Sequence, residues 1–276
     1  MLVIRDNSND VIFGGGVFNY MSFFKKALAK VGIGSVTVDT RLFEDDLNPG
    51  ELIKGVVHIH GGKVEQEVNE LYLKIYTQFL KKDGDNKTYV TYPLVKYRLT
   101  ESFTVIPNST NEIPFSVQLP FFTPITVGKI KVWVQTELDI SNAIDPNDRD
   151  YINVIPSTLC DEVFQSLSDL GFRLREAECI TAPSKFPTSS SYVQEFEFIP
   201  VRGPFVNKLD ELEVVILSVN ENEVDILLEI DRKARNFGGF LSEMLELDES
   251  HVRLTITKAN AHDTKDIIYN LIQKYC

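Results

Sequence analysis

Short runs in which apolar and polar residues alternate recur along most of the chain, and Gly, Pro, Asn or Asp interrupts almost every one. The clearest run has the following residues on one side: Ile130, Val132, Val134, Thr136, Leu138 and Ile140. A period of two places successive side chains on opposite faces of a pleated strand, which helical spacing cannot do. Strands with one apolar and one polar face are stable when two sheets bury their apolar faces together. The sequence therefore predicts an all-β fold of antiparallel β-sandwiches.

One segment breaks this alternation and divides the strands into two groups. Between Ser157 and Leu170 the apolar residues follow helical spacing, Thr158 and Asp161 resemble a capping box, and Gly171 is a helix stop. The predicted organisation is an upstream leader or disordered tail at residues 1–20, a first sandwich at 21–155, a connecting helix at 156–171, a second sandwich at 172–258 and a C-terminal amphipathic helix at 259–276.

The composition narrows the setting in which this chain works. With 28 basic and 40 acidic side chains, its formal net charge is -12, which repels phosphate backbones and argues against nucleic acid as a partner. No stretch approaches the roughly 20 apolar residues that span a bilayer. Cys160, Cys179 and Cys276 are odd in number and lack CxxC spacing, which is typical of reduced thiols in a cytoplasmic protein.

The first twenty residues do not fit the rest of the chain. They lack the basic, apolar and small-residue order of a signal peptide. Gly14, Gly15 and Gly16 precede Met21 at about the place where purine-rich codons would form a bacterial ribosome-binding site. We therefore expect translation to start at Met21, the alternative being a disordered or weakly docked leader.

Turn chemistry and several motifs point to a known family. Asn48-Pro49-Gly50-Glu51, then Gly61-Gly62 and the segment from Ile113 to Pro120 look like the N-terminal sandwich of the arrestin-like superfamily. Five further segments resemble the bacterial sporulation-control proteins of the stage-zero M type: Met21 to Lys26, Thr123 to Lys129, Leu170 to Leu174, Val193 to Phe198 and Gly238 to Glu243.

The resemblance covers nearly all of Met21 to Arg253. It implies two arrestin-like sandwiches that meet at a hinge, in a cytoplasmic, non-enzymatic scaffold or adaptor that acts through other proteins without a cofactor. Fold alone does not determine function, so these remain expectations from the resemblance.

Two groups of residues could be mistaken for metal sites. His58 and His60 lie two apart on one strand face, and we interpret them as a surface pair because no third ligand lies nearby in sequence. Asp139, Asp145, Asp148 and Asp150 surround Pro146, but the spacing lacks the glycine and glutamate of an EF-hand. We interpret this group as a solvated acidic turn, with a sandwich-edge calcium loop as the alternative.

Catalytic signatures are missing from the sequence. It has no GxSxG elbow, no glycine-rich phosphate loop and no HExxH motif. We therefore predict that the protein is not an enzyme.

Two basic segments are candidate interaction surfaces in this acidic chain. Phe23, Phe24, Lys25 and Lys26 begin a short amphipathic helix that would either make weak contact with an anionic membrane or a partner, or pack on the first sandwich. Arg232, Lys233 and Arg235 follow a strand and would bind an acidic or phosphorylated partner, or pair with local carboxylates. The favoured function is a sporulation-control scaffold, and the alternative is a calcium- or membrane-responsive adaptor.

Overall fold

The computed structural model describes residues 3–4, 11–12, 36–83, 86–140, 147–184, 186, 188, 190–232 and 249–276. The strands in these ranges are β1 Val3–Ile4, β2 Val11–Ile12, β3 Thr37–Leu42, β4 Asp46–Leu47, β5 Leu52–His60, β6 Gln66–Asp83, β7 Asn86–Thr100, β8 Phe103–Val105, β9 Thr110–Gln118, β10 Val132–Ile140, β11 Asn147–Val154, β12 Phe172–Thr181, β13 Tyr192–Pro200, β14 Leu209–Val219, β15 Glu223–Arg232 and β16 Glu249–Thr257. The helices are α1 Thr158–Asp169 and α2 Thr264–Gln273, the latter preceded by a 3-10 turn at Ala261–Asp263.

The first sandwich packs a three-stranded sheet, in the order β3-β5-β9, against the strands β4, β11, β10 and β6 of a larger sheet. Every second residue of β10 faces this core, and Val132, Val134 and Leu138 are completely buried. The alternation predicted from the sequence is therefore confirmed, because burial of one face of each strand removes its apolar side chains from water.

Strand β6 belongs to both halves of the molecule. Along most of its 18 residues it pairs with β10 on one side and with β7 on the other. Near its end, Leu80 pairs with Ile180 of β12 in a parallel bridge. The end of the β6–β7 hairpin therefore enters the second core, where the ring of Phe79 stacks on that of Tyr192 with 5.9 Å between ring centroids.

The second sandwich is built on five antiparallel strands in the order β12-β13-β14-β15-β16. Its inner face carries large apolar side chains, among them Phe196, Leu212 and Leu228, and all three are completely buried. In the described part of the chain, α1, α2 and the end of the β6–β7 hairpin pack on this face. The predicted all-β, arrestin-like architecture with a connecting and a C-terminal helix is confirmed, and both helices contribute to the second core.

The N-cap of the connecting helix lies one residue earlier than predicted. The N-cap is Ser157, whose side-chain oxygen accepts a hydrogen bond from the Cys160 N–H at 3.4 Å, so the capping box predicted at Thr158 and Asp161 is wrong. The predicted stop is correct: Gly171 has φ +93°, a left-handed conformation that glycine adopts without a steric penalty.

None of the helices in the described ranges is long and apolar enough to cross a membrane. Cys160 and Cys179 are buried free thiols, and Cys276 is exposed.

Candidate interaction site

Most of the residues predicted to form interaction surfaces lie outside the described residues. This applies to Phe23, Phe24, Lys25 and Lys26 and to Lys233 and Arg235. Arg232 is the last residue of β15, and its backbone pairs with Leu209 of β14. Both basic surfaces therefore stay predictions.

The histidine pair lies on the outer face of β5, as the strand periodicity predicts. His58 Nδ1 is 3.4 Å from Glu112 Oε1, and His60 Nδ1 is 3.2 Å from Thr110 Oγ1. Both partners belong to the neighbouring strand β9. Within the described residues, no group of three or more His, Cys, Asp or Glu side chains is arranged to hold a metal ion.

The acidic group near Pro146 differs from the solvated turn predicted for it. Asp148 and Asp150 lie on β11 and are half-buried. The Asp148 carboxylate accepts hydrogen bonds from the Thr40 N–H at 2.7 Å and from the Arg149 N–H at 3.0 Å. Asp148 thus links β11 to the opposite sheet of the first sandwich, and its oxygens are engaged by backbone donors. Asp145 lies outside the described residues.

Burial governs the titration of these two carboxyl groups. It raises the pKa of Asp148, and it raises the pKa of Asp150 to about 8, with further contributions from the negative charges of Asp148 and Asp39. This geometry gives the calcium-loop alternative no support.

A line of four glutamates and one histidine crosses the outer face of the second sandwich. Strand register places them directly opposite one another on β12, β13, β14, β15 and β16: Glu176, Glu197, Glu213, Glu229 and His251. We call these five residues the acidic row. A second like-charged pair, Glu178 and Glu195, lies beside it.

Basic side chains of the described residues contact members of the acidic row. Arg175 contacts Glu197 and Glu211, Lys129 bonds Glu176, and His251 Nε2 is 2.8 Å from Glu229 Oε2. Like charges directly opposite each other on adjacent strands destabilise a sheet. Repulsion among the glutamates of the row therefore opposes folding, and the neighbouring basic side chains offset part of it.

The Glu195 side chain, next to the acidic row, is partly desolvated, and this changes its pKa. Burial raises the pKa of Glu195, and the negative charges of Glu178, Glu176 and Glu211 raise it further, while Lys82 opposes the shift. A carboxylate in such surroundings gains from an added positive charge. This outer face is thus suited to a basic ligand.

An apolar cluster adjoins the acidic row on the same face. We call it the apolar cup, and its residues are Ile180, Val193, Val215, Leu217 and Leu227. The side chain of Phe186, from the loop between β12 and β13, packs into this cup and is only 9% exposed. The segment is rich in Pro, Ser and Thr, a composition that indicates a loop but not what the loop covers.

A small cavity lies where the loop before β10 meets the second sandwich. Its volume is about 60 Å³, and its lining, which includes Phe122, Tyr192 and Gln194, has no charged side chain among the residues described. Substrate pockets usually measure 300–1,000 Å³. Burial raises the pKa of the Cys160 thiol, at the edge of this cavity, to about 11, so the thiol stays protonated and poorly nucleophilic.

Sequence reasoning missed the acidic row because its members are far apart in the chain. Each glutamate occupies a polar position of an alternating strand, which is the ordinary place for it. Only the strand register shows that these positions coincide across the sheet.

Comparisons with known proteins agree on one family. A family model described as SpoOM protein matches residues 24–234. The sporulation-control protein spo0M of Bacillus subtilis (strain 168) is 41% identical over 249 residues, which cover 90% of this chain and 95% of that protein. The crystal structure of Spo0M from Bacillus subtilis matches with a TM-score of 0.78 and 34% identity, covering 88% of this chain and 100% of that one.

Proposed function

The chain belongs to the SpoOM family of sporulation-control proteins, and from this premise we propose that it is a cytoplasmic, non-enzymatic scaffold that binds a basic segment of a partner protein on its acidic row. The observation that carries the proposal is the line of four glutamates directly opposite one another on four strands. A partner that supplies lysine or arginine side chains would relieve their mutual repulsion.

The charge of this face also selects against other ligands. Clustered carboxylates repel nucleic acid and anionic lipid, so the favoured partner is a protein. Exposed ion pairs are screened by salt, and we therefore expect this association to weaken as ionic strength rises. The small, uncharged cavity near Tyr192 gives no support to an enzymatic function.

The basic surfaces predicted from the sequence would serve separate contacts. In this proposal the segment containing Phe23 and Phe24, for which the sequence predicts a helix, makes weak contact with a membrane surface. A flotation assay with anionic liposomes tests it on the chain that begins at Met21. The Phe23→Asp, Phe24→Asp double variant should float less, and equal, negligible flotation by both proteins would reject the membrane contact.

Complementation tests the main proposal. The chain is expressed in a Bacillus subtilis strain that lacks its own relative, and spore yield is measured. We expect the unaltered chain to restore the yield. The Glu197→Gln, Glu213→Gln, Glu229→Gln variant should fail to do so, because it keeps side-chain size and removes three charges.

The control variant changes three exposed glutamates of the first sandwich, Glu44→Gln, Glu65→Gln and Glu67→Gln. It makes the same change in net charge and should restore spore yield fully. If the acidic-row variant complements as well as the control, the acidic row does not carry the function.

A further inference from the structure

The side chain of Phe186 fills the apolar cup. It comes from the segment between β12 and β13, whose described residues 182–184, 186, 188 and 190–191 we call the strap. Two of the strap's backbone bonds are local, from Phe186 N–H to Pro183 O at 2.9 Å and from Thr188 N–H to Phe186 O at 2.8 Å. The Thr188 hydroxyl reaches the sheet at Leu217 O over 3.4 Å.

The cup residues described below lie on regular strands, so the strand pairing holds them in position independently of the strap. Val193 and Leu217 lie on β13 and β14, and Val215 pairs with Leu227 across β14 and β15. Among the described residues, removal of Phe186 would leave these side chains in place and uncover their outer surface. A large apolar side chain from elsewhere could then bury the same surface.

Glutamates of the second sandwich flank the cup on the side of the acidic row. Glu195 of β13 lies directly opposite Val215. On β14, Glu213 precedes Val215 by two residues, and on β15, Glu229 follows Leu227 by two residues. Arg253, which lies directly opposite Leu227, forms a two-pronged contact with the Asp225 carboxylate. The cup therefore combines apolar contact with an acidic rim.

We propose that the apolar cup is a docking pocket for one large apolar side chain on a lysine- or arginine-rich segment of a partner protein, and that Phe186 is its built-in, displaceable occupant. The inference rests on the proposed function and adds to it the form of the ligand. Because Phe186 and the incoming side chain compete for one pocket, the strap lowers the affinity for the partner.

Synthetic peptides test this with the full chain. One peptide has a single phenylalanine flanked on each side by four lysines, and a second has serine in place of that phenylalanine. Dissociation constants are measured by calorimetry, and the methyl groups of Leu217 and Leu227 are followed by NMR. We expect the phenylalanine peptide to shift these methyl signals and to show contacts from its ring to them.

Two variants release the pocket to different extents. Phe186→Ala should tighten binding of the phenylalanine peptide by about 3- to 10-fold and leave the serine peptide unchanged. Thr188→Ala keeps Phe186 but removes the hydroxyl bond to Leu217 O, and should act in the same direction by a smaller factor. Phe43→Ala removes an aromatic ring that is 67% exposed on the first sandwich and should change neither dissociation constant.

If both peptides bind equally and Phe186→Ala and Thr188→Ala change nothing, the docking pocket is rejected and a purely charge-driven acidic row survives. Absence of binding by either peptide also rejects the docking pocket, and complementation by the acidic-row variant then decides the proposed function separately.

Discussion

At the scale of single residues, the half-buried carboxyl group of Asp150 makes the stability of the first sandwich depend on pH. Burial and the charges of Asp148 and Asp39 raise its pKa from 3.8 to about 8, so the folded protein holds a proton here at neutral pH. Folding takes up this proton because the unfolded chain would have released it. The stabilising contribution is therefore complete below about pH 4 and is lost as the pH rises towards 8.

Asp150→Asn should remove this dependence. At pH 9 we expect the variant to be more stable than the parent by about 1–3 kcal/mol, with little difference at pH 4, because asparagine carries no charge to desolvate. Urea unfolding at a series of pH values measures the difference. Asp45→Asn, which changes an exposed carboxylate, should follow the parent curve. A variant that lost stability with pH as steeply as the parent would contradict this assignment.

Trp133 shows how one residue can obey the strand pattern and still differ from the expected exposure. The alternation places it on the polar face of β10, and that is correct. It is nevertheless only 3% exposed, because Tyr76 and Tyr151 stand beside it at 5.6 and 5.9 Å and the Arg149 guanidinium lies 4.9 Å above its ring. Those neighbours lie on other strands, so the sequence pattern cannot supply them.

Tyr151→Ala should expose this tryptophan. Its fluorescence emission is then expected to shift to longer wavelength and to become more accessible to iodide quenching, while the fold is retained. Since the chain contains one tryptophan, the signal is unambiguous. Tyr89→Ala, in β7, is the control and should leave the emission unchanged. An unchanged spectrum in Tyr151→Ala would mean that Tyr151 does not shield the indole.

At the scale of elements, local rules predicted what local residues determine. Periodicity identified the buried face of β10 because side-chain direction within a strand depends only on the parity of position. The helix stop at Gly171 was also predictable, because it depends on the backbone conformation of a single residue. The acidic row and the shared strand β6 could not be predicted this way, because both depend on which strand pairs with which and in what register. The apolar cup needed, in addition, the position of the strap.

The start of α1 offers a direct test of a boundary that the sequence placed one residue too late. Ser157→Ala removes the hydroxyl that accepts from Cys160 N–H and should lower the unfolding free energy by about 0.5–1 kcal/mol. Thr158→Ala changes an exposed residue in the first turn and should have an effect close to zero. Denaturant midpoints of the two variants decide between the caps. A larger loss in Thr158→Ala would restore the cap predicted from the sequence.

At the scale of the whole molecule, the two sandwiches are connected by more than the helix α1. Besides the parallel bridge between β6 and β12, the buried side chain of Gln194 accepts from Ile125 N–H at 3.0 Å and donates to Ile125 O at 2.6 Å. The Tyr192 hydroxyl donates to Phe122 O at 3.2 Å. A hinge of the kind that the family resemblance implies would have to break or carry these bonds if the sandwiches rotated.

Gln194→Ala should weaken this connection and separate the unfolding of the two halves. The substitution leaves the N–H and the C=O of Ile125 without their buried partner, which should cost about 2–4 kcal/mol. Fluorescence of Trp133 reports on the first sandwich, whereas far-UV circular dichroism reports on the whole chain. In the parent the two signals should give one coincident transition, and in the variant two separate midpoints.

The control variant Gln118→Ala removes the hydrogen bond from an exposed glutamine side chain to Gly50 O within the first sandwich, and it should leave the transitions coincident. Coincident midpoints in Gln194→Ala as well would mean that the shared strand β6 alone couples the sandwiches, and that a rotation between them must bend or shear that strand.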